Sequence, residues 1–171
     1  MDWIAPVSTI GGAIVGVGSA LLAERLRWRR EGNQQWAQQR RAVYQEFVMA
    51  SSRAHSQMRA SALKSGLSDS ERFSQIHEAI DSSQLWQQRQ ALSLTAPSHI
   101  VALASEVTRA LEAIRNLLIE APSITGDRFL HLRAVYWLKN AELREAMRLD
   151  LGMSGPPDPE VGHYRGPDPL P

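Results

Sequence analysis

Residues 100–118 read IVALASEVTRALEAIRNLL. Apolar side chains recur in this stretch at alternating spacings of four and three residues, at Ile100, Ala104, Val107, Leu111, Ile114 and Leu118. On a helix this spacing places them all along one face, as in the heptad seam of a coiled coil. Other helices must cover such a face, because packing of the apolar side supplies most of a helix's stability. The stretch therefore predicts an all-α fold built around this helix, the seam helix.

A second helix is predicted before the seam helix. Ser68 and Glu71 have the spacing of a capping box, in which two side chains satisfy two free backbone amides at a helix start. The apolar side chains that follow on one face are Phe73, Ile76 and Ile80. The pattern weakens at Ser82 and Ser83, and a continuation of the same helix is predicted to carry Leu85, Trp86 and Leu92. Pro97 marks the turn into the seam helix, because proline fits a helix start but not its interior.

The last predicted helix runs from Asp127 to Leu151. Pro122 ends the seam helix, Gly126 marks the loop, and Gly152 is a natural C-cap. The inward positions of the last helix are Phe129, Leu132, Val135, Tyr136, Leu143 and Met147. The first helix of the set has its apolar face at Trp36, Val43, Phe47, Ala50, Ala54 and Met58, and Gly66 ends it. Because short connections favour antiparallel neighbours, residues 42–151 are predicted to form an antiparallel four-helix bundle.

Ahead of the bundle, no charged residue lies between Asp2 and Glu24. A helix that crosses the bilayer hydrocarbon needs about 20 largely apolar residues, and this run is long enough. Residues 1–23 are therefore predicted to be a transmembrane anchor. A cleaved signal peptide is the alternative, but its positive segment should precede the apolar run, where Asp2 is the charged side chain.

Part of the same run is similar to the glycine-rich turn that binds pyrophosphate in flavin and nicotinamide enzymes. Gly11, Ala13 and Gly16 occupy the three glycine positions, so a methyl group stands where the backbone should approach the phosphates. The residues that follow, 25–36, read RLRWRREGNQQW. A βαβ unit needs a second apolar strand there, so neither a dinucleotide-binding fold nor a cofactor is predicted.

Residues 24–41 are predicted to be a basic juxtamembrane stalk, because they hold six Arg against two Glu. Arg25, Arg27, Arg29 and Arg30 follow the anchor directly and are predicted to contact lipid headgroups. By the positive-inside rule these residues stay in the cytoplasm. The N-terminus is therefore expected outside the cell membrane and the bundle in the cytoplasm. The near-neutral remainder of the chain is not typical of a nucleic-acid-binding protein.

A ridge of small residues crosses the predicted anchor. Ser8, Gly12, Gly16 and Ala20 repeat every four residues, with a GxxxG motif at the centre. Such a ridge lets two membrane helices approach closely, where packing replaces the hydrophobic effect that lipid cannot supply. The sequence therefore predicts helix–helix packing in the membrane and self-association through the anchor. The alternative is a ridge without a partner, since Gly is frequent in membrane helices in general.

The segment after the bundle, residues 152–171, reads GMSGPPDPEVGHYRGPDPLP. It is rich in Pro and Gly and poor in large apolar side chains. Such a segment cannot bury enough surface to offset the entropy that ordering would cost. Residues 152–171 are therefore predicted to be a disordered tail.

No catalytic, cofactor or metal site is predicted. The chain has no Cys, so thiolate chemistry is excluded. The histidines are scattered along the chain and are expected to be solvent-exposed or to cap helices: His55, His77, His99, His131 and His163. Two pairs have a one-turn spacing that could offer two metal ligands, namely His77 with Asp81 and Asp127 with His131. A di-metal bundle needs a Glu-x-x-His pair on each of two helices, and the predicted bundle, residues 42–151, contains none. Two interpretations of Asn140 remain. It is either a buried polar residue that sets the register of the helices or a solvent-facing residue.

Four phrases stand in order along the chain: WIAPVSTIGGAIVGVGSALLAERLRWRRE at 3–31, RRAVYQEF at 40–47, LTAPSHIV at 94–101 and MRLDLG at 147–152. In these phrases the chain resembles a group of uncharacterised small single-pass membrane proteins of high-GC actinobacteria. The resemblance covers most of residues 1–152. It implies an anchor followed by a helical bundle, and it implies no activity and no catalytic residue.

Two functional classes follow from this organisation. In the first, the protein is a non-enzymatic tether or interaction module at the cytoplasmic membrane face, whose bundle or tail docks a protein partner. In the second, it is a membrane-active effector of the toxin, holin or phage-defence type, whose anchors assemble into a lesion. The first class is favoured, because a pore-forming helix usually has a polar stripe or a second membrane span. The polar side chains of this anchor are limited to Ser8, Thr9 and Ser19. An enzyme is the least supported class.

Overall fold

The computed structural model of the chain describes residues 35–121 and 123–155. The predicted anchor, most of the stalk, Pro122 and the tail beyond residue 155 lie outside the described residues. Within the described ranges the secondary structure is helical, without a strand, so the all-α prediction is confirmed there. No helix in these ranges is both long and apolar enough to cross a bilayer. Residues 35–39 belong to a different compact unit from residues 40–155, and the packing described below concerns the latter.

The described helices follow one another with short connections. Their bounds are residues 35–62 for α1, Asp69–Ser83 for α2, Leu85–Thr95 for α3, Ser98–Glu120 for α4 and Asp127–Asp150 for α5. Lys139 Nζ on α5 lies 2.9 Å from Glu106 Oε2 on α4. Near the start of α5, Arg128 Nη1 lies 3.7 Å from Glu120 Oε2 at the end of α4. These pairings make α4 and α5 antiparallel neighbours. The prediction of a helical bundle is therefore confirmed, while supercoiling of the coiled-coil kind stays a prediction.

The core of the bundle lies along the seam helix, now α4. All six seam positions are fully buried: Ile100, Ala104, Val107, Leu111, Ile114 and Leu118. Opposite them, α1 contributes Phe47 and Met58, and α5 contributes Phe129 and Leu143, each with almost no exposed surface. Burial of one large apolar side chain stabilises the fold by about 1.5–3 kcal/mol. The apolar periodicity of the sequence thus identified the face around which the other helices pack.

Local signals at two helix ends are also confirmed. At the start of α2, the Glu71 amide donates to Ser68 Oγ at 3.3 Å and the Ser68 amide donates to Glu71 Oε2 at 2.9 Å. At the end of α5, Gly152 has a φ of 72°, which favours glycine. Its amide donates to the Leu149 carbonyl, and the Met153 amide donates to the Arg148 carbonyl, each at 3.0 Å. This pair of bonds is a Schellman motif, which turns the chain back from the helix axis.

The predicted second helix is interrupted at Gln84, which has a φ of 60° and separates α2 from α3. Ser83 supports the break, because its hydroxyl donates to the Ile80 carbonyl at 2.6 Å and accepts from the Leu85 amide at 3.2 Å. An unbroken helix would advance about 100° per residue and turn Leu85 well away from the face of Ile80. The break corrects this phase, so that both segments bury their apolar side chains in one core. The prediction of a single continuing helix is therefore wrong.

Two residues assigned to the core by periodicity are exposed. Trp36 is 59% exposed, and the first fully covered position on α1 is Tyr44, two turns later. Phe73 is also exposed, one turn before Ile76, which is the first buried position on α2. On α2 the apolar stripe begins before the part that other helices cover, and Trp36 lies in the compact unit that ends at Gln39. These two assignments are wrong, because periodicity defines a face but not how far its cover extends.

Candidate functional site

Asp150, at the end of α5, connects that helix to α1. Arg40 Nη1 donates to both carboxylate oxygens, at 3.2 Å to Oδ1 and 3.0 Å to Oδ2, and the Tyr44 hydroxyl donates to Oδ2 at 2.7 Å. Burial, and then the hydrogen bond to Asp150, raises the pKa of Tyr44, so the hydroxyl keeps its proton. Hydrogen bonds to a charged acceptor are stronger than neutral ones. The three side chains therefore hold the end of α5 against α1.

A groove opens between α1 and α5 beside Tyr44. Its volume is about 530 Å³. The residues that line it are Tyr44, Gln45, Glu46, Val48 and Met49 from α1, and Arg144, Met147, Arg148 and Leu151 from the end of α5. We call this the α1–α5 groove. Its size falls in the range of sites that hold small molecules or peptide side chains.

The floor of the α1–α5 groove is apolar and adaptable. Met49 is 53% exposed, whereas Met147, which also lines the groove, is buried. Methionine has three rotatable bonds and a polarisable sulfur, so a surface built on it can adjust to different apolar groups. The groove can therefore accept apolar side chains without a fixed shape requirement.

The rim of the groove is charged. Arg144 and Arg148 are one turn apart on α5, about 6 Å along its axis, and Glu46 is the acidic residue of the lining. Arg148 Nε also lies 3.8 Å from Glu145 Oε2. The rim of the groove therefore carries charges of both signs, with Glu46 and Glu145 beside the two guanidinium groups. Such a rim can contact polar groups of an occupant whose apolar part lies on the floor.

Deeper between α1 and α5 lies a buried polar layer, formed by Ser51, His55, Tyr136 and Asn140. Asn140 Nδ2 lies 3.1 Å from Tyr136 Oη and 3.4 Å from Ser51 Oγ, and donates to both. Ser51 Oγ in turn donates to the Val48 carbonyl at 2.9 Å. Asn140 is buried and bonded across the helix interface, so its solvent-facing alternative is wrong, while a role in setting the helix register stays a prediction. Tyr44, Ser51 and His55 on α1 contact Asp150, Asn140 and Tyr136 in that order, so the two helices are antiparallel.

His55 corrects a prediction. It was expected to be solvent-exposed or capping, and it is 2% exposed. Its ring stacks on that of Tyr136 at 4.8 Å between centroids, and its edge meets Trp137 at 5.5 Å. Burial first, and then the positive charges of Arg59 and Arg133, lowers the pKa of His55 to about 4. The imidazole is therefore neutral at pH 7.

The spacing of α1 contained a signal for this layer. Ser51 and His55 follow Phe47 at steps of four residues, so all three lie on one side of the helix. Tyr136 and Asn140 have the same step on α5. Treating polar residues at these steps as candidate interior positions would have identified the layer. The groove carried no such signal, because it depends on which two helix ends lie side by side.

The other residues singled out by the sequence do not come together. His77 packs against the ring of Phe73 at 4.4 Å, and Asp127 and His131 are exposed. Within residues 35–121 and 123–155, no three His, Asp or Glu side chains are grouped as a metal site. The predicted packing ridge and headgroup contacts lie outside the described residues, namely Ser8, Gly12, Gly16, Ala20, Arg25, Arg27, Arg29 and Arg30.

Comparison with protein-family models, with curated proteins and with solved structures finds no match to this chain.

Proposed function

We propose that this protein is a membrane-anchored, non-enzymatic tether that recruits a protein partner to the cytoplasmic face of the cell membrane. In this proposal residues 1–23 span the bilayer, and Arg25, Arg27, Arg29 and Arg30 contact anionic lipid headgroups. The ridge from Ser8 to Ala20 pairs two anchors. The helical domain then presents a docking surface close to the membrane.

The α1–α5 groove is the observation that carries the proposal. It combines an apolar floor, half-exposed at Met49, with a charged rim that includes Arg144 and Arg148. Its first lining residue, Tyr44, comes three residues after the predicted stalk ends at residue 41. The Arg40–Asp150–Tyr44 contacts hold the two helices that form it. These contacts keep the two helices in place, while the methionine side chains of the groove can adjust to an apolar group of the partner.

The buried polar layer is a weaker candidate for function. It contains His55, Tyr136 and Ser51, whose side chains are types that serve in catalysis. All three are buried, so a substrate would have no access to them in this conformation. Burial supports a role for the layer in setting the register between α1 and α5. This contrast favours a tether over an enzyme.

Photo-crosslinking in cells tests the proposal. A photoreactive residue replaces Met49 in the full chain, and the matched control replaces Leu94 on α3, which is 86% exposed and far from the groove lining in sequence. We expect one defined partner to be captured at position 49 and not at position 94. The double change Arg144→Glu and Arg148→Glu should abolish that capture, because it reverses the charge of the rim.

Two results would contradict the tether. If a partner were captured equally at positions 49 and 94, and the Arg144→Glu and Arg148→Glu changes had no effect, the groove would not be the docking site. Depolarisation of cells when the chain is expressed, lost on changing Gly12 and Gly16 to Ile, would favour the membrane-active effector.

A further inference from the structure

Two arginines stand opposite each other on α1 and α5, one helical turn from the buried polar layer. His55 on α1 meets the ring of Trp137 on α5, with centroids 5.5 Å apart. Arg59 follows His55 by one turn on α1. Arg133 precedes Trp137 by one turn on α5. Because the two helices are antiparallel, both steps lead to the same level of the interface, where both arginines are partly buried.

The two helices offer no carboxylate near this pair of arginines. Residues 47–68 contain no Asp or Glu, and residues 128–141 contain none either. Within the part of the chain that the structure describes, no ion pair involves Arg59 or Arg133. Two positive charges that face each other in a partly buried place repel, so the pair favours an anion between them.

The buried imidazole one turn away also lacks a hydrogen-bond partner. His55 is 2% exposed, and neither its Nε2 atom nor the Nε atom of Arg59 forms a hydrogen bond with the described residues. After burial, the positive charges of Arg59 and Arg133 lower the pKa of His55, so both charges act on the ring. Buried polar atoms are normally hydrogen-bonded. Two such atoms on one face of α1, beside an unbalanced pair of charges, indicate a site that a ligand completes.

We propose that Arg59 and Arg133 bind the phosphate group of a small soluble compound within reach of the His55 imidazole. Phosphate is favoured over a carboxylate, because its oxygens point in several directions and can accept paired hydrogen bonds from two guanidinium groups on different helices. A carboxylate has two oxygens, which a single guanidinium occupies in a bidentate pair. The site therefore selects phosphate by geometry as well as by charge.

The position of the site on α1 favours a soluble phosphate over a lipid headgroup. Arg59 lies about 27 Å along the helix from residue 41, where the predicted stalk ends. In the proposed topology the stalk, and not this part of α1, is next to the membrane. Neither arginine lines the α1–α5 groove, so phosphate binding does not depend on the docking of a protein partner there.

Thermal unfolding of the full chain in a phosphate-free detergent tests the site. The probe is inorganic phosphate at pH 7, with the ionic strength held constant by sodium chloride. A tenfold excess of phosphate over its dissociation constant should raise the melting temperature by about 3–6 °C. Arg59→Gln and Arg133→Gln should each weaken binding about tenfold and so reduce the shift to about 1 °C. The matched control is Arg109→Gln, at an exposed position of α4, which should keep the full shift.

The same variants give a second measurement in the absence of phosphate. Removal of one arginine relieves the repulsion between the pair, so Arg59→Gln and Arg133→Gln should melt no lower than the parent chain. An arginine with a purely structural role would lower the melting temperature when replaced. A lower melting temperature for both variants without phosphate would therefore contradict an unbalanced pair of charges.

Three further results would overturn the inference. The first is a parent chain whose melting temperature does not respond to phosphate. The second is an equal shift in the parent and in both site variants, which would show a general salt effect. The third is an equal shift with sodium acetate at the same ionic strength, which would show a site for anions in general and not for phosphate.

The lipid alternative has its own arm. Phosphatidic acid added to the detergent micelles carries the same phosphate chemistry in a headgroup. It should raise the melting temperature of the parent and of the two site variants equally, because Arg59 and Arg133 are expected to lie away from the lipid. A shift that appears with phosphatidic acid but not with inorganic phosphate, and that disappears in both variants, would contradict the soluble source and assign the site to a lipid headgroup.

Discussion

The imidazole ring of His55 on α1 stacks on the phenol ring of Tyr136 on α5, with centroids 4.8 Å apart and planes 17° apart. One turn further along α5, Asn140 Nδ2 lies 3.1 Å from Tyr136 Oη and donates a hydrogen bond to it. Both helices thus contribute to one polar layer inside an apolar core. Sliding α1 by one turn would break the Asn140–Ser51 hydrogen bond between the two helices and the stacking of His55 on Tyr136, and a buried amide left without such a partner costs about 1–3 kcal/mol. The layer therefore favours a single register of α1 against α5.

His55 makes the stability of the bundle depend on pH. Its pKa falls from 6.5 to about 4 on folding, because burial disfavours the cation. Between these two pH values the unfolded chain binds a proton that the folded chain does not. The free energy of unfolding should therefore decrease by about 3 kcal/mol as the pH drops through this window, and level off above it. Denaturant unfolding at a series of pH values measures the change.

The control for this prediction separates His55 from carboxylates that titrate in the same range. His55→Phe keeps a ring against Tyr136 and should remove the His55 part of the pH dependence. His99→Gln, at an exposed position of α4, should leave the dependence as it is. A His55→Phe variant with the full pH dependence would show that the imidazole is not its source.

Leu111 lies fully buried in the middle of α4. Because the core is internal to the described helices, a fragment of residues 36–151 should be soluble, strongly helical and cooperative in thermal melting. Leu111→Ala should lower its free energy of unfolding by about 2–5 kcal/mol, as truncation of a buried leucine does. Leu94→Ala, at an exposed position, should change it by less than about 0.5 kcal/mol. Non-cooperative melting of the parent fragment would mean that another chain completes the core.

Tyr44 and Asp150 should contribute to stability as a pair. Tyr44→Phe removes a 2.7 Å hydrogen bond to a carboxylate and should cost about 1.5–3 kcal/mol. In the presence of Asp150→Asn the same change should cost clearly less, because the charged acceptor is gone. A double-mutant cycle measured by urea unfolding gives the coupling. Additive effects of the two substitutions would contradict a direct contribution from this bond.

The orientation of the chain in the membrane can be read with a reporter that is active only outside the cytoplasm. Fused after Leu151, it should be silent, because Arg residues flank the apolar run on its C-terminal side. Replacing Arg25, Arg27, Arg29 and Arg30 by neutral residues should produce a mixture of orientations. Strong reporter activity from the unmodified sequence would refute the cytoplasmic placement.

The anchor ridge should matter for self-association. Changing both Gly12 and Gly16 to Ile raises the hydrophobicity of the anchor and blocks close approach of a second copy. Crosslinking between anchors should then disappear while membrane insertion persists, and partner capture should weaken through lost avidity. Replacing Gly11 and Gly18 by Ile, off the ridge, is the matched control. Anchor crosslinking that survives the Gly12 and Gly16 changes would exclude the ridge from the mechanism.

By itself, the sequence determined the helical class and the face around which the helices pack. The seam from Ile100 to Leu118 is buried as its spacing predicted, and the Ser68–Glu71 capping box forms as expected. Gly152 ends α5 with a positive φ, as a C-cap glycine should. These features depend on residues within one or two turns of each other, so their physics is contained in the local sequence.

Only the tertiary structure decided the features that depend on where helices stop and what covers them. The break at Gln84 turns the apolar face of α3 toward the same core as the apolar face of α2. Phe73 is exposed and His55 is buried, although each follows the apolar period of its helix, because neighbouring helices cover His55 and not Phe73. The α1–α5 groove exists because two helix ends far apart in sequence lie side by side. No local spacing contains that information, since it arises from contacts between residues about a hundred positions apart.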